Sequence, residues 1–104
     1  MNTVTTPGKV RDHIVDNPGG LDLVFTGEKL LSVNYHDVGS VKLYRTQGGR
    51  YVMRQRRSSR PGFIEIDRLE IGQSAEQLLD LLVTGRGVTA MRAELGLDTS
   101  IRLD

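Results

Sequence analysis

The chain has 104 residues, 38% hydrophobic and 26% charged, which fits one small core and excludes wholesale disorder. It has no Cys and no Trp, so a disulfide frame, a thiol nucleophile and a Cys-type metal site are excluded and the core must be aliphatic. The net charge of +1 conceals a block at 41–60 that carries Lys42, Arg45, Arg50, Arg54, Arg56, Arg57 and Arg60 with no acid, between two net acidic flanks.

Residues 1–20 are expected to be a flexible or weakly helical lead-in. Pro7-Gly8 and Asn17-Pro18-Gly19-Gly20 are turn signals, and Val10, Ile14 and Val15 between them suit one or two helical turns. The first six residues lack the apolar run of a secretory signal. No stretch approaches the roughly 20 apolar residues that span a bilayer. A cytoplasmic chain with no membrane partner is the expectation.

A single α+β domain is expected over 21–104. Leu21, Leu23 and Phe25 alternate with polar or outward positions, as in a half-buried strand. Gly27 is read as a break, with a hairpin leading into a strand that carries Leu31, Val33 and Tyr35 on one face. His36 to Ser40 reads as a loop. Residues 41–46 and 50–57 then form a hairpin across Gln47-Gly48-Gly49, whose adjacent glycines suit a two-residue turn. Residues 63–71 alternate again.

Beyond Gly72 the period becomes helical. Ser74 and Gln77 form a capping-box signature. Leu78, Leu79, Leu82 and Val83 make a stripe, and Gly85 sits where a C-terminal cap belongs. A second helix through Val88, Met91 and Leu95 is expected to end at Gly96, with Leu97 folding back on it. Ile101 and Leu103 suit a short edge strand. The architecture expected is an antiparallel meander of four to five strands with one or two C-terminal helices packed on one face. Leu81 lies outside the apolar stripe and points to a homodimer contact.

Catalytic groupings are sparse. His36-Asp37, with Glu65, is the one candidate pocket for a small enzyme, and a neighbouring carboxylate can fix an imidazole tautomer. Ser58-Ser59 lacks a nearby base. Gly85-Arg86-Gly87 offers the ingredients of an anion site without the rest of a phosphate loop. Glu65, Asp67 and Glu70 are best read as cross-strand partners of Arg54 and Arg56. No catalytic residue, cofactor or metal is expected.

The basic hairpin is the chief functional signal. Arginine outnumbers lysine in it six to one, and guanidinium forks favour bidentate recognition of carboxylate or phosphate. Arg45, Arg50, Arg57 and Arg60 are expected to stay free near strand ends. Arg54 and Arg56 contribute to the same surface, and Tyr44 and Tyr51 are candidates to stack on a partner. The expected function is a non-enzymatic interaction module that binds an acidic protein or nucleic acid. The alternative is a dimeric nucleic-acid-binding regulator.

The segment Leu43-Tyr44-Arg45-Thr46-Gln47-Gly48-Gly49-Arg50-Tyr51-Val52 resembles a hairpin of small bacterial proteins called EXLDI proteins after a C-terminal signature. Ser100-Ile101-Arg102-Leu103-Asp104 echoes part of that signature. The resemblance is good over residues 41–57 and looser elsewhere. It implies a small bacterial domain and assigns no binding or catalytic residue.

Overall fold

The computed structural model describes residues 3–4, 9–83 and 85–100. Six strands precede two short helices: β1 (Thr3–Val4), β2 (Arg11–Val15), β3 (Leu23–Tyr35), β4 (Gly39–Thr46), β5 (Tyr51–Arg57), β6 (Ile66–Gly72), α1 (Ala75–Leu79) and α2 (Arg86–Glu94). Strands β3 to β6 form an antiparallel meander, and β1 and β2 pair with successive stretches of the other edge of β3. The helices pack on one face of the curled sheet. This is the α+β architecture that the residue pattern predicts.

Two expectations fail ahead of β4. Residues 11–15 form a strand rather than a helical turn. Their buried positions are His13 and Val15, a period of two, while Val10 and Ile14 are exposed. Gly27 does not break the chain either. Strand β3 runs through it for 13 residues because Gly27 is paired on both edges, with Arg11 and with Thr46.

The register of β3 shifts between Lys29 and Leu31. This bulge turns both Leu30 and Leu31 towards the helices. Upstream, Leu23, Phe25 and Lys29 belong to the opposite, concave face; downstream, Leu31 and Val33 belong to the helix face. The helix-side core joins these leucines to Val38, Val41, Leu43, Met53, Leu78, Leu79, Leu82 and Met91. A smaller cluster on the concave face joins Val15, Tyr44 and Val52, flanked by Leu23, Phe25 and Leu69.

The 46–51 connection is a three-residue loop rather than a two-residue turn. Thr46 N–H donates to Arg50 O at 2.8 Å, and Gly49 N–H donates to Thr46 O at 3.0 Å. Only Gly49 of the two glycines takes a positive φ, 84°. That is the residue such a loop demands in the left-handed region.

Helix α1 opens at the expected pair: Gln77 N–H donates to Ser74 Oγ at 3.0 Å, while Gln77 Oε1 reaches one residue further back than a capping box and accepts from Gln73 N–H at 2.8 Å. It ends at Leu79, well before Gly85, which instead is the N-cap of α2. Leu78, Leu79 and Leu82 are buried as expected, while Val83 is exposed and so is about half of Leu81. At the end of α2, Leu97 N–H donates to Arg92 O at 2.8 Å and Gly96 N–H to Ala93 O at 3.1 Å. These two bonds close the C-terminus in the anticipated Schellman pattern. The proposed edge strand at Ile101 and Leu103, with most of the C-terminal signature, lies outside the described residues.

Among those residues no helix is long and apolar enough to cross a membrane.

Candidate anion-binding groove

The hairpin formed by β4 and β5 divides its cations among three places. Arg45 and Arg50 lie at the tip, Arg54 at the centre of the concave face, and Arg56, Arg57 and Arg60 at the open end. The seven-cation block of the sequence is therefore no continuous patch.

Arg45 is engaged at the tip. Its guanidinium pairs with Glu28 on the neighbouring strand. The hydrogen bond to Glu28 and a second to the Tyr51 hydroxyl hold it above its ordinary pKa. Tyr51 packs half-buried beside the helix-side core. Arg50 is exposed and has no acidic partner among the described residues. Of the two tip arginines expected to remain free, the structure leaves only Arg50 so.

Arg54 is 5% exposed and is the most enclosed cation of the block. Asp16, just beyond β2, accepts from Arg54 Nη2 at 2.7 Å and from Nε at 3.2 Å. Asp67 on β6 lies 2.6 Å from Nη1. The Asp67 contact fulfils the cross-strand expectation, and the Asp16 contact was not foreseen. Arg54 thus ties together strands from both ends of the sheet. Its hydrogen bond to Asp16 holds the Asp16 carboxyl below the usual carboxylate range.

Tyr44 is also enclosed. Its ring meets His13 edge-on at 5.0 Å and Phe25 at 5.5 Å. Burial, and then the negative charge of Asp16, push its hydroxyl pKa up. An aromatic packed in this way has no open face for a base, so the stacking role expected of Tyr44 does not match its position.

At the open end, Arg57 and Arg60 flank Phe63, with guanidinium carbons 5.0 and 4.7 Å from the ring centre. Arg57 donates to Ile64 O at 2.9 and 3.1 Å and to Asp37 O at 2.7 Å. Arg60 donates to His36 O. Every one of these acceptors is a neutral carbonyl. The two side chains are held in place while their positive charge stays uncompensated, which is how a site prepares for an anion. A tight reverse turn at Pro61-Gly62 makes this possible, closed by Arg60 N–H to Phe63 O at 3.0 Å and the reciprocal bond at 2.8 Å.

Beside this stack lies a groove of about 560 Å³, lined by Arg56, Arg57, Ser58, Ser59, Arg60 and Ser40 among others. Arg56 is two-thirds exposed and 4.0 Å from Asp67, a loose contact since Asp67 is already bound to Arg54. Glu65 and Asp67 stand on the β6 side of the groove. Hydroxyl donors and guanidinium forks there can bind a carboxylate or phosphate oxygen bidentately.

The candidate enzyme pocket at His36 and Asp37 is not assembled. The His36 ring packs edge-on against Phe63 at 5.2 Å. The Asp37 carboxylate faces the other way, accepting from Val38 N–H at 2.8 Å and from Gly87 N–H at 3.0 Å. This contact also accounts for Gly85-Arg86-Gly87: the anion at that helix N-terminus is the chain's own Asp37. No group of three or more His, Asp or Glu that could hold a metal occurs among the described residues.

One cationic feature escaped the sequence reading. Lys29, Lys42 and Arg11 come from three strands on the concave side; burial, then the charges of Lys42 and Arg11, lower the Lys29 pKa. Residues 31 places apart in the chain give no local signal of such a cluster.

Comparison with protein families, with curated proteins and with solved structures found no match.

Proposed function

We propose that this protein is a non-enzymatic interaction module that docks an acidic segment of another protein in the groove at the open end of its β4–β5 hairpin. The observation that carries this reading is the Arg57–Phe63–Arg60 stack, fixed by carbonyl acceptors and left with its charge uncompensated. Arg56 adds an exposed third cation on the same side. Glu65 and Asp67 on the β6 side favour a protein partner over nucleic acid. A run of phosphates would meet them as like charges, whereas a peptide can alternate acidic and basic or apolar groups. Ile64, 76% exposed next to the stack, offers an apolar contact to such a peptide.

The test is a fluorescence-anisotropy titration of the full chain with an acidic peptide and with single-stranded DNA, at about 50 and about 200 mM salt. The expected result is salt-sensitive peptide binding, weakened about tenfold by the double variant Arg56→Ser, Arg60→Ser. Peptide affinity unchanged in that variant overturns the reading. DNA binding that is tighter than peptide binding, with a log–log salt slope near −0.9 per phosphate, overturns it in favour of a nucleic-acid regulator.

A further inference from the structure

Strand β6 is the last in the sheet order, and among the described residues nothing pairs with its outer edge. Its burial pattern agrees. No residue from Ile66 to Gly72 is fully buried, whereas β5 beside it has four buried positions in succession. A seven-residue edge, on which the backbone donors and acceptors of alternate residues point outward, with Ile71 51% exposed, forms a template for another strand.

The side chains along that edge are self-complementary. A two-fold axis perpendicular to the sheet pairs residues of the same face in antiparallel register. An axis through Arg68 sets Arg68 against its own copy, and an axis through Glu70 does the same for glutamate. The axis through Leu69 gives the longest overlap, the full strand. It places Arg68 opposite Glu70 of the second copy, twice by symmetry, on the helix side. On the concave side it places Leu69 against Leu69, with Ile71 beside Asp67. Arg68 donates from Nε to Gln55 Oε1 at 2.9 Å and from Nη2 to Leu81 O at 3.0 Å, both neutral acceptors, so its charge meets no acid among the described residues. Glu70 has no partner among the described residues.

We infer that the occupant of the β6 edge is a second copy of this chain, joined by antiparallel β6–β6 pairing centred on Leu69 and matched by two Arg68–Glu70 pairs. The register is fixed by charge, because a slip of two residues brings like charges face to face. The dimer contact lies on the sheet edge and not on Leu81. The interface borders the arginine groove, which shares Ile66 and Asp67 with the paired strand, but the inference is carried by the β6 edge and not by what the groove binds.

Sedimentation equilibrium on the full chain decides it. The expected result is reversible association to twice the chain mass of 11.5 kDa, with Kd on the order of tens of micromolar for an interface this small. Glu70→Arg sets arginine against Arg68 and weakens association about tenfold or more. Adding Arg68→Glu to it reverses both partners and restores affinity to within about threefold of wild type. Glu65→Arg, outside the strand, leaves association unchanged. If Arg68→Glu fails to fold because Gln55 loses its donor, the contrast between Glu70→Arg and Glu65→Arg still decides. A chain that stays monomeric at about 500 μM, or a dimer indifferent to Glu70→Arg, overturns the inference.

Discussion

Asp37 caps helix α2 from far back in the chain, its Oδ2 accepting from the N–H of Gly87, fifty residues on, at 3.0 Å. The same carboxylate accepts from Val38 N–H, so one side chain fixes both the β3–β4 turn and the start of α2. Gly85 has no side chain to cap the helix itself, which leaves this task to Asp37. A methyl group at Gly87 would collide with the carboxylate.

Asp37→Ala is therefore expected to destabilise the fold by about 1–2 kcal/mol, the cost of losing an N-cap acceptor at a helix dipole. Gly87→Ala should destabilise it by a similar amount, by displacing the same contact. Urea midpoints, at unchanged slope, give both values. A wild-type midpoint in Gly87→Ala would show that the carboxylate is not held there.

Asp16 predicts a pH signature. Its carboxyl is depressed by the hydrogen bond from Arg54, so the folded state binds that proton less readily than the unfolded state. The resulting stabilisation is present above the ordinary aspartate range and disappears as pH falls through the lower, folded value. Wild type should be more stable than Asp16→Asn by a constant margin from about pH 5 to pH 7, and the margin should close below about pH 4. Denaturation series of both proteins across that range measure it. A margin that persists at low pH would mean that packing, not charge, distinguishes them.

The arginines of residues 45–60 should separate by stability cost. Arg54→Ala is expected to cost about 2 kcal/mol or more, since it removes a buried side chain with several hydrogen bonds. Arg57→Ala, which frees two carbonyls, should cost about 1 kcal/mol. Arg50→Ala and Arg56→Ala should fall within about 0.5 kcal/mol of wild type. Thermal melts of the four variants test the order, and equal costs would contradict it.

His13 carries the one buried side-chain nitrogen, Nε2, that finds no partner among the described residues. It sits between Phe25 and Tyr44, at 5.5 and 5.0 Å. Replacing it with an aromatic of similar size removes an unsatisfied donor or acceptor and keeps the ring contacts. His13→Phe should leave stability unchanged or raise it by about 1 kcal/mol. A loss beyond about 1 kcal/mol would show that the imidazole makes a bond the aromatic cannot replace.

The sequence made the parts with short-range rules legible. The adjacent glycines Gly48 and Gly49 marked the β4–β5 hairpin, Ser74 and Gln77 marked the start of α1, and Gly96-Leu97 marked the end of α2, all within a few residues of where the bonds form. Strand β2 was hidden because only His13 and Val15 face inward in it, too few to outweigh the helical spacing of Val10 and Ile14. The candidate site was half legible. Its arginines were evident as a block, but their partners were not, since Asp16 and Arg54 are 38 residues apart and Arg57 bonds Asp37 O across 20. A backbone carbonyl leaves no trace in composition. The sequence therefore shows the charge and conceals which charges are tethered without being cancelled.

The bulge at Leu30 has a consequence for how this chain can vary. Strand β3 serves two apolar layers, and the extra residue is what moves its odd-numbered side chains from the concave layer to the helix layer. It works as a phase shift in the inside–outside alternation. Removing Leu30 itself would set Lys29 and Leu31 in succession opposite Tyr44 and Leu43, restore a regular pleat and leave Leu23, Phe25, Leu31 and Val33 on their own layers. One residue added or removed elsewhere in the strand would instead turn one half outward. Adding or removing two residues upstream would preserve the phase and only slide β2 along its neighbour. A single-residue loss in this strand should therefore be tolerated at the bulge alone, and elsewhere length should change only in pairs.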